Sequence, residues 1–247
     1  MTGTFLNIAT VLIGGMIGLL FGARIPDKLK STVIAGMGLF TAAMGIQMFL
    51  NTENPLIVLG SILIGTLLGE WWRIEDGLQN LGKYLEERFS KPDLDDSNKF
   101  VRGFLTASLL FCVGPMTILG SIYDGLNISG DYYLLTVKSV LDGFAAMALA
   151  STLGIGVLFS AIIVFLFQGG ISFLAMQLGT VMTIAMNDPG QLAFINSMIN
   201  ELTATGGITL IALAISSLLE MKKIRVGSFL PALLVAPLIV WVLGLFQ

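Results

Sequence analysis

Between Asp142 and Asp188 the chain has no Asp, Glu, Lys or Arg, and it has none before Arg24. A helix crosses a bilayer with about 20 consecutive apolar residues. The longer uncharged run therefore exceeds one crossing, and the first can supply one by itself. Hydrophobic residues make up 55% of the chain and charged residues 12%, about half the charged share of soluble domains. Lipid offers no partner for backbone N–H and C=O groups, so spans of this kind must be helices. The expected class is all-α, a polytopic transmembrane helix bundle forming a single integral membrane domain over residues 1–247.

The same composition narrows function. The chain has no His and one cysteine, Cys112, so there is no intrachain disulfide and no imidazole for metal or proton work. The net charge of −3 comes without a basic tract, and no nucleic-acid partner is expected. No phosphate loop, nucleotide fingerprint or nucleophile motif is present. An enzyme is not expected, nor a resident cofactor. No cation precedes the first apolar run, which is expected to stay as a span and not to be cleaved as a signal peptide.

Eight spans fit the pattern: residues 5–23, 31–50, 55–72, 100–122, 132–153, 154–187, 190–221 and 228–246. The sixth segment is too long for one straight span and short for two. It is read as one long helix, tilted or broken at Gln168-Gly169-Gly170, with a span plus a re-entrant segment as the alternative. Residues 74–98 read as a surface amphipathic helix followed by an acidic loop, with Ile74, Leu78, Leu81, Leu85 and Phe89 on one face. Loops 24–30, 73–102 and 222–225 hold 12 of the 13 Lys and Arg residues, which places those loops in the cytoplasm. Loops 51–54, 123–131 and 186–190, with both termini, then lie outside. Asn7 falls near a span end and is expected at the interface, as is Glu70. Small residues recur at Gly14, Gly18 and Gly22, and at Ser61, Gly65 and Gly69, giving faces where helices approach closely. A homodimer through these faces is one expectation.

The remaining cation is Lys138. It stands four residues before Asp142 and shares a helix face with it. Counted from Tyr132 at about 1.5 Å per residue, Asp142 lies about 15 Å deep, near the midplane. In the preceding span, Gly114-Pro115 interrupts the helix, and the proline frees the carbonyl of Phe111. The sequence from Gly114 to Leu119 is similar to that from Gly206 to Ile211, two spans expected to run in opposite directions. Paired helix breaks in inverted repeats point to a transporter's central site.

These motifs together resemble a known family. Gly114-Pro115-Met116-Thr117-Ile118-Leu119-Gly120-Ser121, Asp124-Gly125 and Lys138-Ser139-Val140-Leu141-Asp142-Gly143 are similar to the YqgA/YdfK-type bacterial membrane proteins, a domain-of-unknown-function family. The likeness continues in residues 152–157, Gln168-Gly169, Glu201 with Gly206-Gly207, 222–226 and 230–233. It implies an integral protein of the bacterial inner membrane and supplies no activity.

A charged group inside lipid is costly and marks function by default. Glu201, counted from residue 190, falls about 16 Å deep, close to Asp142. The expected site is therefore a midplane cluster that binds a small solute or ion. It is built from Asp142, Glu201, Lys138, Asn200, Thr117, Ser139, Thr203 and Gln168, with backbone groups freed at Gly114-Pro115 and Gly206-Gly207. Such oxygens suit sodium, and a buried carboxylate suits proton coupling. The expected function is a secondary transporter coupled to Na+ or H+. An ion channel and a non-transporting scaffold or regulator are the alternatives. The structural alternative for the charged residues is a Lys138–Asp142 pair that fastens helices, with Glu201 capped by hydroxyls.

Overall fold

The computed structural model describes residues 1–22, 24–89, 94–126, 132–177, 179 and 189–245. Among the described residues ten α-helices carry the fold: α1 Thr2–Gly22, α2 Asp27–Phe49, α3 Pro55–Trp71, α4 Ile74–Phe89, α5 Leu94–Cys112, α6 Pro115–Leu126, α7 Tyr132–Leu153, α8 Gly156–Gln177, α9 Pro189–Leu213 and α10 Ala232–Gly244. A π-helical turn, Ala214–Leu218, ends α9, and a 3-10 turn, Val226–Phe229, precedes α10. No strand occurs among the described residues. Among the described residues six helices are long and apolar enough to cross a membrane, or up to eight spans when the bent pairs α3–α4 and α5–α6 each count as one. The all-helical bundle read from the uncharged runs is thus what the chain forms. Large apolar side chains stand exposed along it, among them Leu20, Leu67 and Leu234 at 73–74% and Trp71 at 77%. Lipid covers such a surface where water would not.

The chain forms two compact units. The first comprises Met1–Met37, Leu78–Cys112 and Met116–Gly179; the second comprises Gly38–Gly77, Val113–Pro115 and Thr180–Gln247.

In the first unit the glycine stripe of α1 lies directly on the backbone of α7. A Cβ at Gly14, Gly18 or Gly22 would collide with the carbonyl oxygen of Gly143, Met147 or Ser151 respectively. Backbones this close gain dispersion and Cα–H···O contacts that no larger residue permits. In the second unit, α3 does the same: Gly65 meets the backbone of Ala232, and Gly69 meets the carbonyl of Ser228. Both small-residue faces are thus occupied within the chain. That removes the surface on which the expected homodimer depended.

The glycine pairs divide into breaks and crossings. Gly114, at φ +151°, lies in the joint between α5 and α6, which bend by 63°. The expected break at Gly206-Gly207 is absent, and α9 runs through it. Gly207 instead faces Gly45 of α2, and a Cβ on either residue would strike the other's carbonyl oxygen. Gly206 packs on Met48, Val113 and Leu233. Of the two expected breaks, the one at Gly114-Pro115 is present and its counterpart is continuous helix. Helix α8 likewise runs unbroken through Gln168-Gly169-Gly170. The turn lies earlier, at Gly154, whose φ of +81° suits a residue without a Cβ. Residues 154–177 thus form one turn and one span.

Helix α4 is amphipathic as expected, but its apolar face meets protein. Leu85 packs with Phe100 and Phe104, joined by Leu81, Val101, Leu105, Phe159 and Ile163. The ring of Phe89 lies 5.0 Å from that of Phe159. Pro92 and Asp93 of the expected acidic loop lie outside the described residues, and helix α5 begins at Leu94, six residues before the expected span start.

Overpacking at a backbone crossing should be costly. Gly14→Leu and Gly65→Leu should each destabilise the folded chain by about 1–3 kcal/mol, read as a lowered melting temperature in detergent. Gly36→Ala meets nothing within 4 Å and should be neutral, or stabilising by up to about 1 kcal/mol.

Candidate functional site

Helix α7 carries Lys138 and Asp142 one turn apart, and the two form a buried ion pair. Their side chains retain 8% and 13% of their exposure. The glycine crossing brings α1 alongside. Gly143, next to Asp142, lets the Thr10 backbone come within 3.1 Å of where a Cβ would stand. Asn7, one turn before Thr10, then reaches the pair. Its Nδ2 donates to Asp142 Oδ2 at 3.0 Å and to Gln168 Oε1 of α8 at 3.1 Å. Asn7 and Gln168 are fully buried, yet Asn7 Oδ1 and Gln168 Nε2 have no hydrogen-bond partner among the described residues. Buried polar atoms without partners are rare and ask for an explanation. Asn7 was expected at the interface because it stands near the start of α1. Instead it lies about 8 Å along that helix, buried against two others.

The broken helix approaches this cluster. Helix α5, which ends at Cys112, packs against α7. Pro115 leaves the Phe111 carbonyl without its helical donor, and Thr117 Oγ1 fills that place at 3.1 Å. Ser121 Oγ in turn donates to the Thr117 carbonyl at 2.6 Å. Thr117 thus stabilises the break and is not a ligand of Asp142. The Ser139 hydroxyl points back to the Leu135 carbonyl at 2.5 Å, so it too serves its own helix.

A second carboxylate lies in the same unit. Asp124, expected in a loop, belongs to α6 and is buried. It accepts from Gly3 N at 2.9 Å and from the Thr4 N and Oγ1 at 3.1 Å each. A carboxylate on the first turn of α1 satisfies orphan donors and the helix dipole together. Thr4 Oγ1 also meets Ser172 Oγ at 3.4 Å. Thr4 and Asn7 share one face of α1, and Gln168 and Ser172 share one face of α8. The signal in the sequence is that polar spacing at three and four residues within otherwise apolar helices. Residues 127–131 of the expected loop lie outside the described residues.

Glu201 belongs to the second unit, and its partners come from the turn between α2 and α3. Thr52 Oγ1 donates to Oε2 at 2.7 Å; Glu53 N and Asn54 N donate to Oε1 at 2.8 and 2.9 Å. Asn54 is the N-cap of α3, so the buried carboxylate stands where that helix presents its positive end. All these partners are donors, which suits an anion already in place and leaves little for a cation. The turn answers reciprocally: Glu53 accepts from Ser197 at 2.8 Å and from Asn200 at 2.9 Å. Those two bonds hold the Glu53 carboxyl below its ordinary range. The expected midplane position of Glu201 gives way to one level with the α2–α3 turn. Counting depth from the start of α9 missed this because α9 runs about three turns before reaching that turn. Asn200 serves Glu53, Thr203 is buried, and Thr205 returns its hydroxyl to the Glu201 carbonyl at 2.8 Å. Asp142 and Glu201 thus take their partners from different units.

Glu70, expected as an interfacial carboxylate, is part of a clasp in the second unit. Ser228 Oγ donates to it at 2.7 Å, and Arg225 pairs with Glu70 at 3.0 Å and with Asp76 at 2.5 Å. Glu75 accepts from Gly227 N at 2.7 Å.

Removing Glu201 should chiefly affect folding. Glu201→Ala leaves two backbone N–H groups and a hydroxyl without their acceptor, so stability should fall by about 2–4 kcal/mol. Thr52→Ala should cost about 1 kcal/mol. Both are measured by thermal unfolding in detergent.

The chain matches the family described as "Protein of unknown function (DUF554)" over residues 2–241. It is 33% identical over 250 residues to "Uncharacterized membrane protein YdfK" of Bacillus subtilis (strain 168), covering 100% of this chain and 98% of that protein. It is 29% identical over 236 residues to "Uncharacterized protein YqgA" of Escherichia coli (strain K12), covering 95% and 94%. No solved structure matches it. A match of this extent, together with apolar helices sufficient for several crossings, makes the chain a multi-pass membrane protein of the DUF554 family.

Proposed function

We propose that the protein is a secondary transporter of a small solute or ion, with its binding site at Lys138, Asp142, Asn7 and Gln168. The observation that carries this reading is the buried ion pair beside two fully buried amides with unmet atoms. A pair that merely fastened helices would leave no donor and no acceptor unmatched, because each unmatched buried atom costs about 1–3 kcal/mol. A site that takes a ligand part of the time leaves such atoms unmet in between. The joint at Gly114-Pro115, next to Cys112, is the place where the lining can move. Proton or sodium coupling fits a carboxylate whose cationic partner stands on the same helix. No covalent chemistry is assigned to the chain.

The orientation belongs to the same proposal. The cation-rich loops 24–30, 73–102 and 222–225 face the cytoplasm of a bacterial cell, and the membrane is the inner one.

Proteoliposomes containing a pH-sensitive dye, challenged with sodium gradients and a panel of small solutes, test the reading. Wild-type protein should give a flux that Asp142→Asn slows at least about tenfold, since one lost charge-assisted bond corresponds to that factor or more. Equal rates in the two proteins, or no flux of any applied ion or solute, would overturn it.

A further inference from the structure

The cluster on α7, α1 and α8 is electrically neutral. Lys138 contributes one positive charge and Asp142 one negative. The ion pair joins them directly on one helix. Asn7 and Gln168 add no charge. A lone cation or lone anion delivered here leaves a buried charge without a partner, which is the costly outcome in a low-dielectric interior. A solute carrying both charges avoids it.

The unmet atoms point the same way. Among the described residues, Asn7 Oδ1 lacks a donor and Gln168 Nε2 lacks an acceptor. A bare cation would satisfy the first and oppose the second, and a bare anion would do the reverse. An ammonium group supplies donors and a carboxylate supplies acceptors, so a molecule with both meets both. We propose that the site takes a zwitterionic solute of amino-acid size. Its carboxylate lies on Lys138 Nζ and Gln168 Nε2, and its ammonium lies on Asp142 and Asn7 Oδ1. The Lys138–Asp142 pair opens to admit the two charged groups. This assignment rests on the transport reading and names its substrate class.

The test uses the purified full chain in detergent. Its melting temperature is measured with each of the twenty protein amino acids, with the carboxamide and N-acetyl derivatives of those that bind, and with sodium and potassium chloride. At least one amino acid should raise the melting temperature, and blocking either of its charges should weaken binding about tenfold or more. The Lys138→Gln/Asp142→Asn double variant keeps similar volumes without charge, and it should lose the amino-acid shift. The derivative comparison is made on wild-type protein and stands even if that variant does not fold. No shift with any amino acid overturns the substrate class. Sodium or potassium binding with proton release, and no amino-acid shift, overturns it while leaving the transport site in place. No shift of any kind, with flux unchanged in Asp142→Asn, overturns both readings.

Discussion

The crossing of α1 and α7 is made backbone to backbone. Gly14, Gly18 and Gly22 lie against the carbonyls of Gly143, Met147 and Ser151, with no side chain between them. In lipid, helices gain little from hiding apolar area, so close packing of this kind is what holds them together. The same contact decides the chemistry. With α1 this near, the short Asn7 side chain reaches across to Asp142 and Gln168. A larger residue at the crossing would push α1 outward and leave the ion pair of α7 without its amide partner.

Two glycine-containing dipeptides in similar sequence do different work. At Gly114-Pro115 the proline removes a donor, the helix turns by 63°, and Thr117 fills the vacated place at the Phe111 carbonyl. At Gly206-Gly207 no donor is missing, the ladder continues, and the absent side chains admit Gly45. The difference comes from the proline and from the neighbour. A glycine tolerates a bend, but it bends only where a hydrogen bond is lost or a partner draws the chain aside.

Two of the buried carboxylates, Glu201 and Asp142, also differ in kind. Glu201 accepts from a hydroxyl and two backbone N–H groups at a helix N-terminus. Its needs are met by parts of the chain that fold with it, and it reads as a fastening for the α2–α3 turn. Asp142 is matched by one flexible ammonium and one amide, in a neutral cluster with a donor and an acceptor left over. Burial alone does not distinguish the two; the identity and completeness of their partners do.

The sequence by itself determined that the chain is helical and crosses the membrane several times. Runs without charge leave no other way to satisfy the backbone in lipid. It also determined the Lys138–Asp142 pair, the break at Gly114-Pro115 and the faces of close approach, because each follows from spacing along one helix or from the covalent structure of proline. Only the tertiary structure decided which helices meet. That choice turned Asn7 from an interfacial residue into a partner of Asp142, placed Asp124 on the first turn of α1, and gave Glu201 to the α2–α3 turn. The physical reason is that periodicity sets the direction of a side chain about its own axis, whereas a polar group's partner is set by the neighbouring helix that backbone packing brings within about 3 Å.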